Sequence, residues 1–211
     1  KSFAETSVSA TVPANYSVTL VNGQDGSITD SSLISAYNLF ANPDTVDISL
    51  IVSGAASATL ATSLISLAES RKDCLVFLSP TLANAVDNAG LEVTDITTFR
   101  NSLTSSSYVV MDSGWKYQYD KYNDLYRWLP LNGDIAGLSA RTDLERDPWF
   151  SPAGSQRGLI KNVVKLSWHP TKTDRDNLYT KGVNPVVTFP GEGTMLYGED
   201  RKSTRLNSSH G

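Results

Sequence analysis

Few residues of this chain combine the types and spacings that catalysis or metal binding requires. The 211 residues include two histidines and one cysteine. A zinc site needs about four Cys, His or carboxylate ligands at set spacings, and a reactive thiolate needs a partly exposed, electropositive site. Cys74 begins the apolar run CLVFLSP, and His169 follows a predicted strand. We therefore interpret Cys74 as a core residue and His169 as a surface or structurally satisfied residue, and we expect no metal.

The loops lack the motifs that bind phosphates or activate a serine. Neither G-x-G-x-x-G after an early strand, nor G-x-x-x-x-G-K-[ST], nor G-x-S-x-G occurs. The stretch GSQRG (154–158) has the wrong spacing for a phosphate loop. A calcium loop centred on Gly26 would have Asp25 as its single carboxylate at the ligand positions, so we reject that site. We expect no cofactor.

The charge pattern argues against nucleic acid and membrane partners. The formal net charge is −4, and the mixed charges of DLERD (143–147) are typical of a solvated cluster. Lys116, Lys121 and Arg127 lie near tyrosines and tryptophans that could stack on bases. Asp120 and Asp124 interrupt that positive charge. No apolar run approaches the roughly 18 residues that suggest a membrane-spanning helix.

Strands alternate with helices in the first half of the chain. Alternating or continuous apolar runs predict strands at 16–21, 47–54, 74–80 and 107–114. Helices are predicted at 31–41 with Asp30 as N-cap, at 58–71, and at 94–103 with Thr94 as N-cap. This order predicts an α/β fold: a mostly parallel sheet with right-handed crossovers and helices on both faces. Residues 1–15 are interpreted as a linker or a severed strand.

The second half adds a different element. The segment Trp115–Trp128 predicts an aromatic β-hairpin, with Trp115, Tyr117 and Tyr119 on one face. A helix is predicted at 132–145, where Gly133, Ala136, Gly137 and Ala140 would permit close packing. A strand at 159–168 and a helix at 171–182, ended by Gly182, follow. Residues 183–198 are typical of a loop that leads into a buried strand.

Three long strings resemble one protein family. They are KYQYDKYNDLYRWLPLNGDIAGLSARTD (116–143), PWFSPAGSQRGLIKNVVKL (148–166), and DNLY…NPV…F…GEGTMLYGE (176–199). Together with VTLVNGQDGSIT and DISLIVSG upstream, they resemble the tail sheath protein of contractile-tailed, T-even-like bacteriophages. The resemblance runs from about Tyr16 to Gly198.

The resemblance implies a structural protein of the virion rather than an enzyme. Sheath subunits of this family stack as hexameric rings in a helix around the tail tube. When the sheath shortens, it drives the tube through the host envelope. The implied partners are other sheath subunits, the tail tube protein, the baseplate and the tail terminator, without direct contact to nucleic acid. The implied location is the virion tail sheath, assembled in the host cytoplasm.

The resemblance also implies an incomplete domain. Residues 16–198 would form the α/β sheath core domain, truncated at both ends. The string DRKSTRLNSSH that begins at Asp200 resembles the translation of a sequencing-library adapter. We therefore expect residues 199–211 to be a non-biological tail.

Two alternatives stay open at this point. One is the sheath of a phage-derived contractile injection particle. The other is a Rossmann-like nucleotide-binding enzyme domain, which would need a pocket with convergent polar groups at the strand ends.

If the chain is an assembly protein, the hairpin Trp115–Trp128 and the loop Asp147–Gly158 are the candidate contact surfaces. Their aromatic side chains could equally fill the core of one subunit. The candidate assembly residues are Trp115, Tyr117, Tyr119, Arg127, Trp149 and Arg157.

Overall fold

The fold is built on one parallel sheet and two smaller antiparallel ones. The computed structural model describes residues 26–147 and 149–198. The helices are α1 (Asp30–Tyr37), α2 (Ala58–Arg71), α3 (Leu82–Ala85), α4 (Glu92–Asn101), α5 (Asn132–Glu145) and α6 (Lys172–Thr180), with a 3₁₀ turn at Asn38–Phe40. The strands are β1 (Leu50–Val52), β2 (Leu75–Leu78), β3 (Val109–Asp112), β4 (Trp115–Asp120), β5 (Leu125–Pro130), β6 (Lys165–Leu166), β7 (Val183–Asn184), β8 (Val186–Phe189) and β9 (Gly193–Leu196).

The central sheet has the order β1-β2-β3-β7, and every neighbouring pair is parallel. Side chains alternate across it, as the twofold strand period requires. Val76 and Leu78 of β2 pack with α2 and α4 on one face, whereas Leu75 and Phe77 pack with α5 on the other. The predicted α/β fold, with a mostly parallel sheet and helices on both faces, is confirmed. The predicted strand at 16–21 and the terminal segments 1–15 and 199–211 lie outside the described residues.

Two long helices have the predicted bounds. Helix α2 buries Leu60, Leu64 and Leu67 along one stripe, and the Ser57 side chain caps it by accepting a hydrogen bond from the backbone N–H of Leu60. Helix α5 also begins and ends where predicted. A continuous apolar stripe of helical period, packed against a sheet, stabilises each helix.

The predicted caps of α1 and α4 are wrong. Thr29, not Asp30, caps α1 by accepting from the backbone N–H of Ser32. Asp30 begins the helix, and its carboxylate accepts from the Ser57 hydroxyl at 2.5 Å. Helix α4 starts at Glu92, so Thr94 lies inside it. In α1 the predicted cap residue has another partner, whereas at the start of α4 the N-cap position is Leu91 and no side chain caps the helix.

The predicted aromatic hairpin is confirmed, but the strand predicted at 159–168 is wrong. β4 and β5 pair antiparallel, with Tyr117 opposite Trp128. In the later segment Lys165 and Leu166 alone form a strand, which pairs with β4, and Leu159 makes an isolated bridge to Met195. Asn162 has a φ of 56°. A residue in the left-handed region interrupts extended backbone, so the apolar pattern does not yield one strand.

The small residues of α5 do not form the close-packed face that their spacing predicts. Ala136 is buried, but Gly133, Gly137 and Ala140 are exposed. The buried face consists instead of larger side chains, including Ile135 and Leu138. At the other end of the chain, Gly182 follows α6 with a φ of 74°, as expected for the residue after a helix C-cap.

Two Gly→Ala substitutions should have opposite effects on stability. A Cβ on Gly158 would lie 2.8 Å from backbone atoms of Gly154 and Leu196, so Gly158→Ala should cost about 1–3 kcal/mol, the range for overpacking. Gly137 lies in the middle of α5, and a Cβ there meets nothing within 4 Å. Gly137→Ala should therefore stabilise by about 0.5–1 kcal/mol. Thermal unfolding of the full-length protein measures both, and equal shifts would contradict the packing described here.

Candidate functional site

Polar side chains converge at the carboxyl ends of the parallel strands. Ser53 follows β1, Ser79 follows β2, Asp112 ends β3, and Asn132 begins α5; all four are buried. We refer to these four residues as the carboxyl-edge network. In an open α/β sheet this edge is where ligands bind, so it is where an enzyme of this fold would place its site.

Here the polar groups bind one another. The Asn132 backbone N–H donates to Ser79 Oγ at 3.0 Å, and the Ser79 hydroxyl donates to Asp112 Oδ2 at 2.6 Å. The Asn132 side-chain amide donates to Ser53 Oγ at 3.0 Å and to the Gly54 carbonyl at 2.7 Å. The network thus joins three strands to α5 instead of presenting free groups to a ligand.

Two tryptophans close the same edge. Trp115 Nε1 donates to the Pro80 carbonyl at 2.8 Å, and Trp168 Nε1 donates to the Ser113 carbonyl at 2.9 Å. A Cβ on Gly114 would lie 2.9 Å from Ser167 Oγ, so this turn has no room for a side chain. Side chains therefore fill the space between the carboxyl ends of the strands and the start of the hairpin.

Burial raises the pKa of Asp112 to about 8. Loss of hydration is the main cause, because it disfavours the charged carboxylate. Hydrogen bonds from Ser79 and from the Gly114 backbone act in the opposite direction, and the negative charge of Asp134 adds to the increase. Asp112 therefore holds its proton in the folded protein at pH values where a solvated aspartate is ionised.

The hairpin β4–β5 protrudes from the body of the domain. Exposure rises from 4% at Trp115 to 43% at Tyr119 and 86% at Tyr122 in the turn. At the base, Lys116 Nζ makes a 2.8 Å ion pair with Asp134 of α5, and the Lys116 side chain is almost fully buried. The Asp134 side chain is 23% exposed, so the pair is partly buried. Removing Asp134 would leave the buried Lys116 charge without its partner, so the pair helps to fix where the hairpin leaves the body.

One face of the hairpin carries stacked aromatic rings. The Tyr117 ring lies 5.4 Å from Tyr126 and 4.8 Å from Trp128 between centroids. Lys165 Nζ lies 5.2 Å above the Tyr117 ring and 5.4 Å above Trp128. Such stacked and cation–π contacts order a surface that remains partly open to solvent.

The candidate assembly residues fall into three groups. Trp115 is buried and seals the carboxyl edge, so it is unavailable to a neighbouring subunit. Tyr117, Tyr119 and Arg127 lie on the hairpin, and Arg127 Nε pairs with Asp120 Oδ2 at 3.1 Å. Trp149 and Arg157 belong to the loop after α5.

That loop combines two exposed rings, Trp149 and the less exposed Phe150, with hydrogen bonds that hold it in place. Trp149 is 74% exposed. Arg157 Nε donates to the Ser151 carbonyl at 2.9 Å, and its guanidinium lies 5.5 Å from the Phe150 ring centroid. Its carbonyl accepts a hydrogen bond from Arg141 of α5. Arg157 therefore holds the loop in place, and Trp149 is the more exposed of its two rings.

Cys74 and His169 do not lie in surroundings that favour catalysis or metal binding. Cys74 is fully buried, and burial raises the pKa of its thiol to about 11, which confirms it as a core residue. His169 is exposed. Among residues 26–147 and 149–198, no cluster of three or more His, Cys, Asp or Glu side chains could hold a metal ion. Within the same ranges, no helix has both the length and the apolar character to cross a membrane.

Sequence reasoning missed both the carboxyl-edge network and the Lys116–Asp134 pair. One signal for the network was available, because a serine or aspartate ends or follows each of three successive apolar strands: Ser53, Ser79 and Asp112. No local signal marks Lys116, since its partner lies 18 positions along the chain on another element.

Comparison of the sequence with known proteins gives a family and close relatives. Residues 27–199 match the phage tail sheath protein central domain. The tail sheath protein of Enterobacteria phage T4 is 39% identical over 202 residues, which cover 86% of this chain and 30% of that protein. The tail sheath protein of Vibrio phage KVP40 is 37% identical over 209 residues, 89% of this chain and 31% of that protein. The chain thus spans less than a third of the length of these relatives.

Solved structures of similar fold are more distant in sequence. The helical sheath of the anti-feeding prophage in the contracted state aligns with a TM-score of 0.57 and 19% identity, over 83% of this chain and 44% of that chain. The contracted sheath complex of the extracellular contractile injection system PVC gives 0.58 and 18%, over 85% and 48%. At these identities the likeness concerns the fold.

The carboxyl-edge network predicts a pH dependence of stability. Between about pH 4 and pH 8 the folded state holds the Asp112 proton, and the unfolded state releases it. The contribution of Asp112 to the free energy of unfolding is therefore fully present below the pKa that Asp112 has in the unfolded chain. This contribution is lost as pH rises towards 8, by at most about 1.4 kcal/mol per pH unit. Asp112→Asn should flatten the profile of unfolding free energy in this window, measured by denaturant titration of the full-length protein. The control Asp176→Asn, an exposed site on α6, should keep the wild-type slope; an unchanged slope in Asp112→Asn would contradict the assignment.

Proposed function

The chain belongs to the phage tail sheath protein family, and from that premise we propose that the whole protein is a structural subunit of a bacteriophage contractile tail sheath. It polymerises around the tail tube and shortens to drive the tube through the host envelope during genome ejection. The observation that carries the proposal is the family match over residues 27–199, together with relatives 37–39% identical over most of this chain.

A non-catalytic role fits the geometry of the sheet. The edge where an α/β enzyme binds its ligand is occupied by the carboxyl-edge network and covered by Trp115 and Trp168. A nucleotide at that edge would have to displace buried hydrogen bonds, each of which is expensive to leave unmade. The Rossmann-like enzyme alternative therefore has less support than the structural role.

The same contacts favour movement of the domain as a rigid body. Hydrogen bonds join the ends of β1, β2 and β3 to α5, and the Lys116–Asp134 pair joins α5 to the hairpin base. Packed cores and satisfied polar networks resist continuous deformation, so shape change is confined to interfaces. The work of shortening then comes from exchanging one set of contacts between subunits for another of lower free energy.

The proposed partners follow from this role. They are other sheath subunits, arranged as hexameric rings in a helix, the tail tube protein, the baseplate and the tail terminator. The proposed location is the tail sheath of the virion, with assembly in the host cytoplasm. Tyr117, Tyr119 and Arg127 on the hairpin, and Trp149 with its supporting Arg157 on the loop, remain the proposed contact residues.

A phage origin is favoured over a contractile injection particle. The tail sheath proteins of phages T4 and KVP40 are 39% and 37% identical to this chain, whereas the two injection-system sheaths are 19% and 18% identical. The same subunit role applies in either particle, so the distinction concerns what surrounds the sheath.

Electron microscopy of the full-length expressed protein tests the proposal. Tubular polymers with a helical repeat are expected, because a sheath subunit carries the surfaces for its own assembly. Addition of ATP, GTP or NAD should leave the melting temperature of the unassembled protein unchanged. Persistent monomers in the microscope, or a nucleotide-dependent rise in melting temperature, would contradict the structural role.

A further inference from the structure

The turn of the β4–β5 hairpin presents one large side chain to solvent. We call residues 121–124 the hairpin tip. Tyr122 at its centre is 86% exposed, while burial increases along β4 towards the base of the hairpin. An isolated exposed tyrosine is ordinary, but one at the outermost point of a protruding hairpin is well placed to enter a cavity on another molecule.

The hairpin tip is held in one shape although it is exposed. Asp120 accepts from the backbone N–H groups of Tyr122 and Asn123 at 3.0 and 3.4 Å, and from the Asn123 side-chain amide at 2.7 Å. These hydrogen bonds lower the pKa of Asp120, those from the Asn123 side chain most of all. The Tyr119 hydroxyl donates to Asp124 Oδ1 at 2.6 Å. A preordered loop loses little conformational entropy on binding, which favours a docking role.

A groove of complementary character lies at the opposite, amino end of the central sheet. It is lined by Leu50 and Leu75, the first residues of β1 and β2, by Ala140 of α5, and by Phe150 and Pro152 of the following loop. Its volume is about 560 Å³, within the range of pockets that hold small organic groups. We call this cavity the amino-edge groove. It shares no lining residue with the cleft beside the hairpin.

The rim of the groove is acidic and partly apolar. Asp143 and Asp147 line it, and Leu144 beside them is 88% exposed. At the hairpin tip the charges are arranged differently. Asp120 is paired with Arg127, and Asp124 is bonded to Tyr119. Lys121 lies 5.0 Å from the centroid of the Tyr122 ring. Among the described residues it forms no ion pair, so its charge can pair with a carboxylate on another molecule.

We propose that the hairpin tip of one subunit docks into the amino-edge groove of a second copy, with Tyr122 in the apolar cavity and Lys121 beside Asp143 and Asp147. This contact rests on the proposed sheath function and identifies surfaces through which it could act. A tip and a groove at different places on the same chain make a heterologous interface, which propagates from copy to copy and builds rings or helices rather than closed dimers.

Charge reversal in the full-length protein tests the pairing. Asp143→Lys and Lys121→Glu should each raise the subunit concentration needed for tube formation about tenfold or more, because each places like charges together. The combined variant restores opposite charges and should return that concentration towards the wild-type value. Glu69→Lys, an equal charge change on the exposed side of α2, should leave it unchanged. Thermal unfolding of each unassembled variant shows whether folding is intact.

A cross-link tests the geometry independently of the charges. Asn123→Cys and Leu144→Cys in one chain, joined by a short bis-maleimide in assembled tubes, should give a ladder of covalent multimers, because Asn123 neighbours Tyr122 in the tip and Leu144 lines the groove. Each single cysteine variant should give no ladder. The contact would be overturned if both single charge-reversal variants assembled at the wild-type concentration, if the combined variant were not rescued, or if the tubes formed without cross-links. Any of these results would point to another occupant of the groove, such as the tube protein or residues 1–25. Absence of tubes from the wild-type protein would instead overturn the proposed function, and this contact with it.

Discussion

Hydrogen bonds among buried polar groups at the carboxyl ends of the strands hold the sheet, α5 and the hairpin base in fixed positions. Ser79 and Asp112 are removed from water, so each needs a hydrogen-bonding partner within the protein. Asn132 supplies partners to both Ser53 and Ser79, which fixes the start of α5 beneath the sheet. The hairpin begins three residues after Asp112, so its base is placed by the same set of contacts.

This arrangement fits the structural role proposed for a domain whose fold often carries enzymes. Function resides in sites rather than in folds, and the usual ligand site of an open α/β sheet lies at this edge. Here the polar groups at that edge hydrogen-bond to one another. The exposed, ordered side chains lie elsewhere, on the hairpin and on the loop that carries Trp149. A body whose interior is satisfied and whose distinctive surfaces project outward suits repeated contacts between copies.

The sequence predicts the parts of the fold that local patterns control. The bounds of α2 and α5 follow from their apolar periodicity, and the hairpin follows from the alternation around Tyr117 and Trp128. Patterns fail where the outcome depends on a distant partner or on one backbone angle. Lys116 is buried because Asp134 lies opposite it, and the strand expected at 159–168 is interrupted at Asn162. The strand alternation places Trp115 and Tyr117 on the same face, so it cannot show that Trp115 is buried and Tyr117 is partly exposed. Position along the hairpin decides which ring is buried.

We propose that this domain moves as one rigid body while contacts between subunits are exchanged. Cryo-electron microscopy of sheaths assembled from the full-length protein, in the extended and the contracted state, would show whether it does. The backbone of residues 26–198 should superpose between the two states to within about 1 Å, the value typical of preorganised partners. The Asn132–Ser79–Asp112 hydrogen bonds should persist in both. Separation of α5 from the ends of β1–β3, or a change in hairpin angle relative to the sheet, would contradict this proposal.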